Sequence, residues 1–69
     1  MRYLVDKVVL DTGDKVIITM SNGNKVKAVY RDTVGYAHNF DCGDGKEINL
    51  SNHFMRLKGI SVEKDTSPA

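Results

Sequence analysis

The chain has 69 residues with ten basic and nine acidic side chains, a net charge of +1, and 41% hydrophobic residues without a tryptophan. That length limits it to one domain with a thin core, because a chain of this size buries only about 60% of its extended surface, and the balanced charge excludes a strongly basic nucleic-acid binder, leaving any such role to a local patch. Cys42 is the single cysteine, which excludes an intrachain disulfide and fits a reducing compartment, and no apolar run approaches the roughly 20 residues of a membrane span.

Tyr3 to Leu10 is ambiguous. Leu4, Val5, Val8 and Val9 fit helical spacing, while Tyr3, Val5 and Val9 fit a strand. The β-branched content favours a strand, with a short helix as the alternative. Asp6 and Lys7 interrupt the only apolar run near the start, so it does not read as a signal peptide, and the expected address is the cytoplasm. Asp11-Thr12-Gly13-Asp14 reads as a turn.

Asp14 to Arg31 carries the strongest pattern in the chain. Val16, Ile18 and Met20 alternate with Lys15, Ile17 and Thr19, and Val26, Ala28 and Tyr30 alternate with Lys25, Lys27 and Val29. Period two on both sides of Asn22-Gly23 predicts a hairpin. A two-residue turn would set Met20 against Lys25 and Ile18 against Lys27, mixing charge into the apolar face. A three-residue loop, Ser21 to Gly23, pairs Met20 with Asn24, Ile18 with Val26 and Val16 with Ala28, and keeps that face apolar. Burial of one face fixes register, so the second pairing is expected, with Gly23 at positive φ.

Arg31-Asp32-Thr33 reads as a polar break, and Val34 to Leu50 as a second hairpin. Tyr36, His38, Phe40 and Cys42 share one parity, as do Ile48 and Leu50, around Gly43-Asp44-Gly45. A three-residue loop would pair Phe40 with Ile48 and His38 with Leu50, with Gly45 left-handed. Leu50 to His53 then reads as a turn, with one turn of 3₁₀ helix as an option. Phe54 to Val62 reads as a last strand in which Gly59 marks a bulge or bend. Residues 1–63 form the domain, and 64–69 are expected to be a disordered tail. Five to six short strands with glycine turns imply an all-β fold: a small antiparallel SH3-like or Sm-like barrel, closed on itself to bury one face.

Gly13 to Gly23, G-x-x-V-x-I-x-M-x-N-G, resembles the first signature of the Sm and Sm-like proteins, and Leu57-Lys58-Gly59 resembles the end of their second signature with lysine in place of arginine. The resemblance spans roughly residues 13 to 60. It implies a small barrel that assembles into an oligomer and holds single-stranded RNA, with Asn39, Lys58 and Gly59 carried over as base-contacting positions. Two departures stand out. Ala28 occupies the place of a family glycine, and Asn39 aligns only with a one-residue shift that puts Gly35 where the family has aspartate.

Read from the residues, the outward parity of the first hairpin carries Lys15, Ile17, Lys25, Lys27, Val29 and Arg31. Four cations around two aliphatic residues suit phosphate or an acidic protein surface, and equally suit an ordinary solvated face. Tyr36, His53 and Phe54 could stack on bases beside Lys58, but the plainer reading puts Tyr36 and Phe54 in the core. His38, Cys42 and His53 lack the paired spacing of a metal site. Asp41, Asp44 and Glu47 around two glycines lack a calcium loop's ligand series, and no spacing sets a nucleophile beside a base. The expected function is a non-enzymatic binding module without cofactor or metal. It would bind single-stranded RNA or an oligonucleotide through an Sm-like face. The alternative is a protein-protein interaction module, a small inhibitor or adaptor docking through the outward face of hairpin 14–31 or a free edge strand.

Overall fold

The computed structural model describes residues 2–66. Among them it contains β1 (Arg2–Val5), β2 (Val8–Asp11), β3 (Lys15–Thr19), β4 (Lys25–Val34), β5 (Ala37–Gly43), β6 (Lys46–Ser51), α1 (Asn52–Lys58) and β7 (Ser61–Lys64). The strands form two antiparallel sheets, a β1-β2 hairpin and a five-stranded sheet of order β6-β5-β4-β3-β7. No described helix is long and apolar enough to cross a membrane.

The β3-β4 hairpin has the register that the apolar alternation demands. Val16 faces Ala28 and Ile18 faces Val26. Met20 N–H donates to the Asn24 carbonyl at 2.7 Å, and Gly23 N–H donates to the Met20 carbonyl at 2.9 Å. Gly23 sits at φ +90, where a Cβ would be strained. Val16, Ile18, Ala28 and Tyr30 are buried and Met20 and Val26 pack against them, so one parity of the hairpin is the core face.

The second hairpin also keeps its expected pairs, Phe40 with Ile48 and His38 with Leu50, by a different turn. Asp44 and Gly45 both have positive φ, +54 and +75, the pattern of a two-residue type I′ loop. Gly43 pairs with Lys46, and the ladder shifts between Asp41 and Gly43. Cys42 is thus the extra residue of a bulge, which restores the register that a three-residue loop would have produced.

Four other expectations are corrected. Residues 3–10 are neither one strand nor a helix; they fold back at Asp6 (φ +55) so that Val5 pairs with Val8. Arg31-Asp32-Thr33 is no break. β4 runs through it with Arg31 as a bulge between the Tyr30–Phe40 and Asp32–Asn39 pairs. The Thr12 hydroxyl donates to the carbonyl of Arg31 at 2.7 Å. The strand expected over Phe54–Val62 is α1 followed by β7. Ser51 caps the helix by accepting the Phe54 N–H at 3.0 Å, and Gly59 ends it at φ +70. The Gly59 and Ile60 N–H groups both donate to the Met55 carbonyl, a C-terminal motif that brings two apolar residues, Met55 and Ile60, into the core together. Finally, Lys64 belongs to β7, and the Asp65 N–H donates to the Lys15 carbonyl at 2.9 Å, so the ordered chain runs past 63. The rest of the expected tail, residues 67–69, lies outside the described residues, as does residue 1.

The five-stranded ladder does not close on itself; β6 and β7 are its edges. Its concave side is filled instead by Val5 and Leu10 from the small hairpin and Met55 from α1, packed with Phe40, Tyr30, Leu50, Ile60 and Val62. Tyr30 and Phe40 meet edge to face with centroids 5.7 Å apart, a geometry worth about 0.5–1.5 kcal/mol beyond burial.

Candidate functional site

The outward side of the sheet carries the first group of expected residues. Lys15 pairs with Val29, Ile17 with Lys27 and Thr19 with Lys25, so Lys15, Ile17, Lys25, Lys27 and Val29 do share one face. Ile17 and Val29 are half-buried within it. The same pairing rows bring carboxylates into the face, since Glu63 stands beside Ile17 and Asp41 beside Val29. Arg31 is engaged with Asp41 at 3.5 Å. The patch is therefore mixed in sign, with Lys15, Lys25 and Lys27 as exposed cations that make no ion pair with another described residue.

Asn39, Lys58 and Gly59 are not linked to one another by hydrogen bonds. The Asn39 amide donates to Asp32 at 2.7 Å on the outward side of β5. Lys58 is exposed in the last turn of α1, and Gly59 serves the helix terminus. His38 has both ring nitrogens committed, as detailed below, and no cluster of three metal-binding side chains occurs among the described residues. Burial pushes the Cys42 thiol above its ordinary value, nearby Asp41 adds to this and Lys46 opposes it, the opposite of what an activated thiolate requires.

A second site lies where the small hairpin, the β4-β5 loop and the start of α1 meet. It is a cleft of about 560 Å³, within the ~300–1,000 Å³ range of ligand sites. β1 contributes Tyr3 and Leu4, the β4-β5 loop contributes Gly35 and Tyr36, and the β6-α1 junction contributes Ser51, Asn52 and His53. None of its described lining residues is Asp, Glu, Lys or Arg. Tyr36 is 91% exposed, not a core residue, and Leu4 is 58% exposed. Phe54, also expected in the core, is 42% exposed and does not line the cleft. Gly35 has φ +62 at the first central position of its two-residue loop, which suits a type II′ turn and places Tyr36 at its tip.

Thr33 and His38 also line this cleft and belong to a chain of polar side chains. The Asp6 N–H donates to Asn52 Oδ1 at 2.8 Å, and His38 Nε2 stands 2.9 Å from the same oxygen. Because that oxygen can only accept, Nε2 carries the hydrogen. In the neutral ring Nδ1 is then the acceptor, and the Thr33 hydroxyl donates to it at 2.7 Å. Thr33 has no second hydrogen, so the Tyr30 hydroxyl donates to Thr33. Buried His38, 4% exposed, and Tyr30 are both satisfied.

Of these residues only Tyr36, His38 and His53 were legible as candidates, Tyr36 and His53 for stacking and the two histidines for metal. The rest come from segments far apart in sequence, and neither Asn52 nor Tyr3 carries a local motif. No protein-family model, no curated protein and no solved structure matches the chain.

Proposed function

We propose that the chain is a non-enzymatic protein-interaction module that docks a segment of a partner protein in the cleft between β1, the β4-β5 loop and the start of α1. The observation that carries this reading is the exposure of Tyr36 at 91% beside Tyr3 and Leu4, in a cleft with no Asp, Glu, Lys or Arg among its described lining residues. Exposed aromatic and aliphatic side chains around a concavity are the usual anchors of protein recognition. The build supports an SH3-like class: a four-stranded meander, a helix, and a last strand that returns to pair with the first strand of the meander. A cytoplasmic setting suits the single free thiol of Cys42.

Single-stranded RNA binding on the outward face is the second reading, favoured by the three cations Lys15, Lys25 and Lys27, which lack ion-pair partners among the described residues. The interleaved Asp41 and Glu63 weaken a continuous phosphate track. The Sm-like alternative adds a ring of copies, which solution mass tests directly.

The deciding experiment is capture on the immobilised chain, with and without ribonuclease, across a salt series. The protein reading expects partners that resist ribonuclease and salt and are lost on Tyr36→Ala. RNA retention that collapses with salt and with Lys25→Glu plus Lys27→Glu, untouched by Tyr36→Ala, would overturn it.

A further inference from the structure

Asn52 has a locked amide. Its Oδ1 accepts from the Asp6 N–H at 2.8 Å and from His38 at 2.9 Å. The two donors forbid a flip, since a turned amide would set its N–H groups against the Asp6 N–H. The Nδ2 hydrogens have no acceptor among the described residues, yet no buried side-chain nitrogen or oxygen is left unpartnered, so Nδ2 is not sealed from solvent, and Asn52 is one of the residues that line the cleft.

Building on the cleft assignment above, we infer that Asn52 presents its amide hydrogens to a main-chain carbonyl of an extended, uncharged peptide segment, which lays its side chains against Tyr3, Leu4 and Tyr36. The chemistry of the cleft selects this ligand. A fixed neutral donor calls for a neutral acceptor, and an extended peptide offers a carbonyl at every residue. Aromatic and aliphatic neighbours favour apolar side chains. A charged residue would lose hydration with no opposite charge in the lining to replace it. A nucleotide also carries carbonyls, but its phosphate would find no lysine or arginine here. The donor costs little to organise, because its orientation is set by the fold before any ligand arrives.

Asn52→Asp separates donor from scaffold. It keeps an oxygen for Asp6 and His38, turns the outward donor into an acceptor and adds a negative charge. Short random peptides are displayed against the folded chain, and the best binder is resynthesised. Asn52→Asp is expected to weaken that peptide about tenfold or more while the variant still folds, and Tyr36→Ala to weaken it comparably. Lys25→Glu with Lys27→Glu should leave it bound. In the unmutated protein, the Asn52 side-chain amide resonances should shift as peptide is added, a readout that holds even if the aspartate variant unfolds. A peptide lost on Tyr36→Ala that leaves those resonances in place overturns the donor role and spares the cleft. A library that yields no binder, or binders indifferent to Tyr36→Ala, overturns the cleft as well. Short single-stranded RNA that moves the Asn52 amide when peptides do not would overturn the peptide assignment.

Discussion

His38 Nε2 and Asn52 Oδ1 stand 2.9 Å apart, and the backbone of Asp6 donates to that same oxygen from 46 positions away. One side-chain oxygen therefore ties the small hairpin, the main sheet and the helix. Asn52→Ala leaves two donors without an acceptor and is expected to cost about 2–3 kcal/mol. Tyr30→Phe removes only the terminal donor of the chain and should cost about 1 kcal/mol. Urea unfolding measures both, and the reverse ranking would reject the proton assignment.

The ends of α1 should be separately measurable. Ser51→Ala removes the acceptor of the Phe54 N–H and is expected to cost about 1 kcal/mol. At Gly59 a Cβ would meet nothing within 4 Å, so the cost of Gly59→Ala lies in its φ of +70 alone, again about 1–2 kcal/mol. Gly59→Asn should cost less, because asparagine tolerates that region. Equal losses for alanine and asparagine would mean that packing, not backbone, sets the preference.

Truncation should reveal the two sides of the sheet. Ile18→Ala and Phe40→Ala, both fully buried, are expected to cost about 2–4 kcal/mol, and half-buried Ile17→Ala under about 1 kcal/mol. Denaturant midpoints for the three variants check this. An Ile17 loss as large as that of Ile18 would show that something covers the outward face in solution.

Cys42 should be a slow nucleophile. With its pKa raised by burial and by Asp41, less thiolate exists at neutral pH than for a free thiol, so the sign is a lower alkylation rate whose rise with pH is displaced upward. Iodoacetamide labelling followed by mass spectrometry, with glutathione as reference, measures it. Labelling as fast as glutathione at neutral pH would contradict this environment.

The hairpins were legible because their information is local: alternation of Val16-Ile18-Met20 and Val26-Ala28-Tyr30 leaves one coherent register, and Phe40 with Ile48 does the same. The helix was misread although its signals were present, Ser51 three residues before Phe54 and Gly59-Ile60 after a basic turn. Seven residues, Asn52–Lys58, make about two turns, too few for a helical period to outweigh the shared parity of Phe54, Ile60 and Val62. β1 and β2 are four residues each, too short to show a period, and Asp6-Lys7 is a poor turn signature. The cleft was invisible for a different reason. Tyr3, Tyr36 and Asn52 meet only through tertiary packing, and no spacing rule connects them.

The bulge at Arg31 works like one inserted letter in a two-letter reading frame. Upstream, Tyr30 points inward; downstream, the frame has shifted, so Thr33 points inward too, opposite His38, while Asp32 and Val34 face solvent. Deleting this one residue would leave a regular ladder, with Asp32 still opposite Asn39 and Thr33 still opposite His38. Flattening the bulge with Arg31 kept in the ladder would instead swap the assignments, burying Asp32 and Val34, turning Thr33 outward and taking the hydroxyl from between Tyr30 and His38. The polar chain behind the cleft therefore depends on one residue that stays out of step with the strand that carries it.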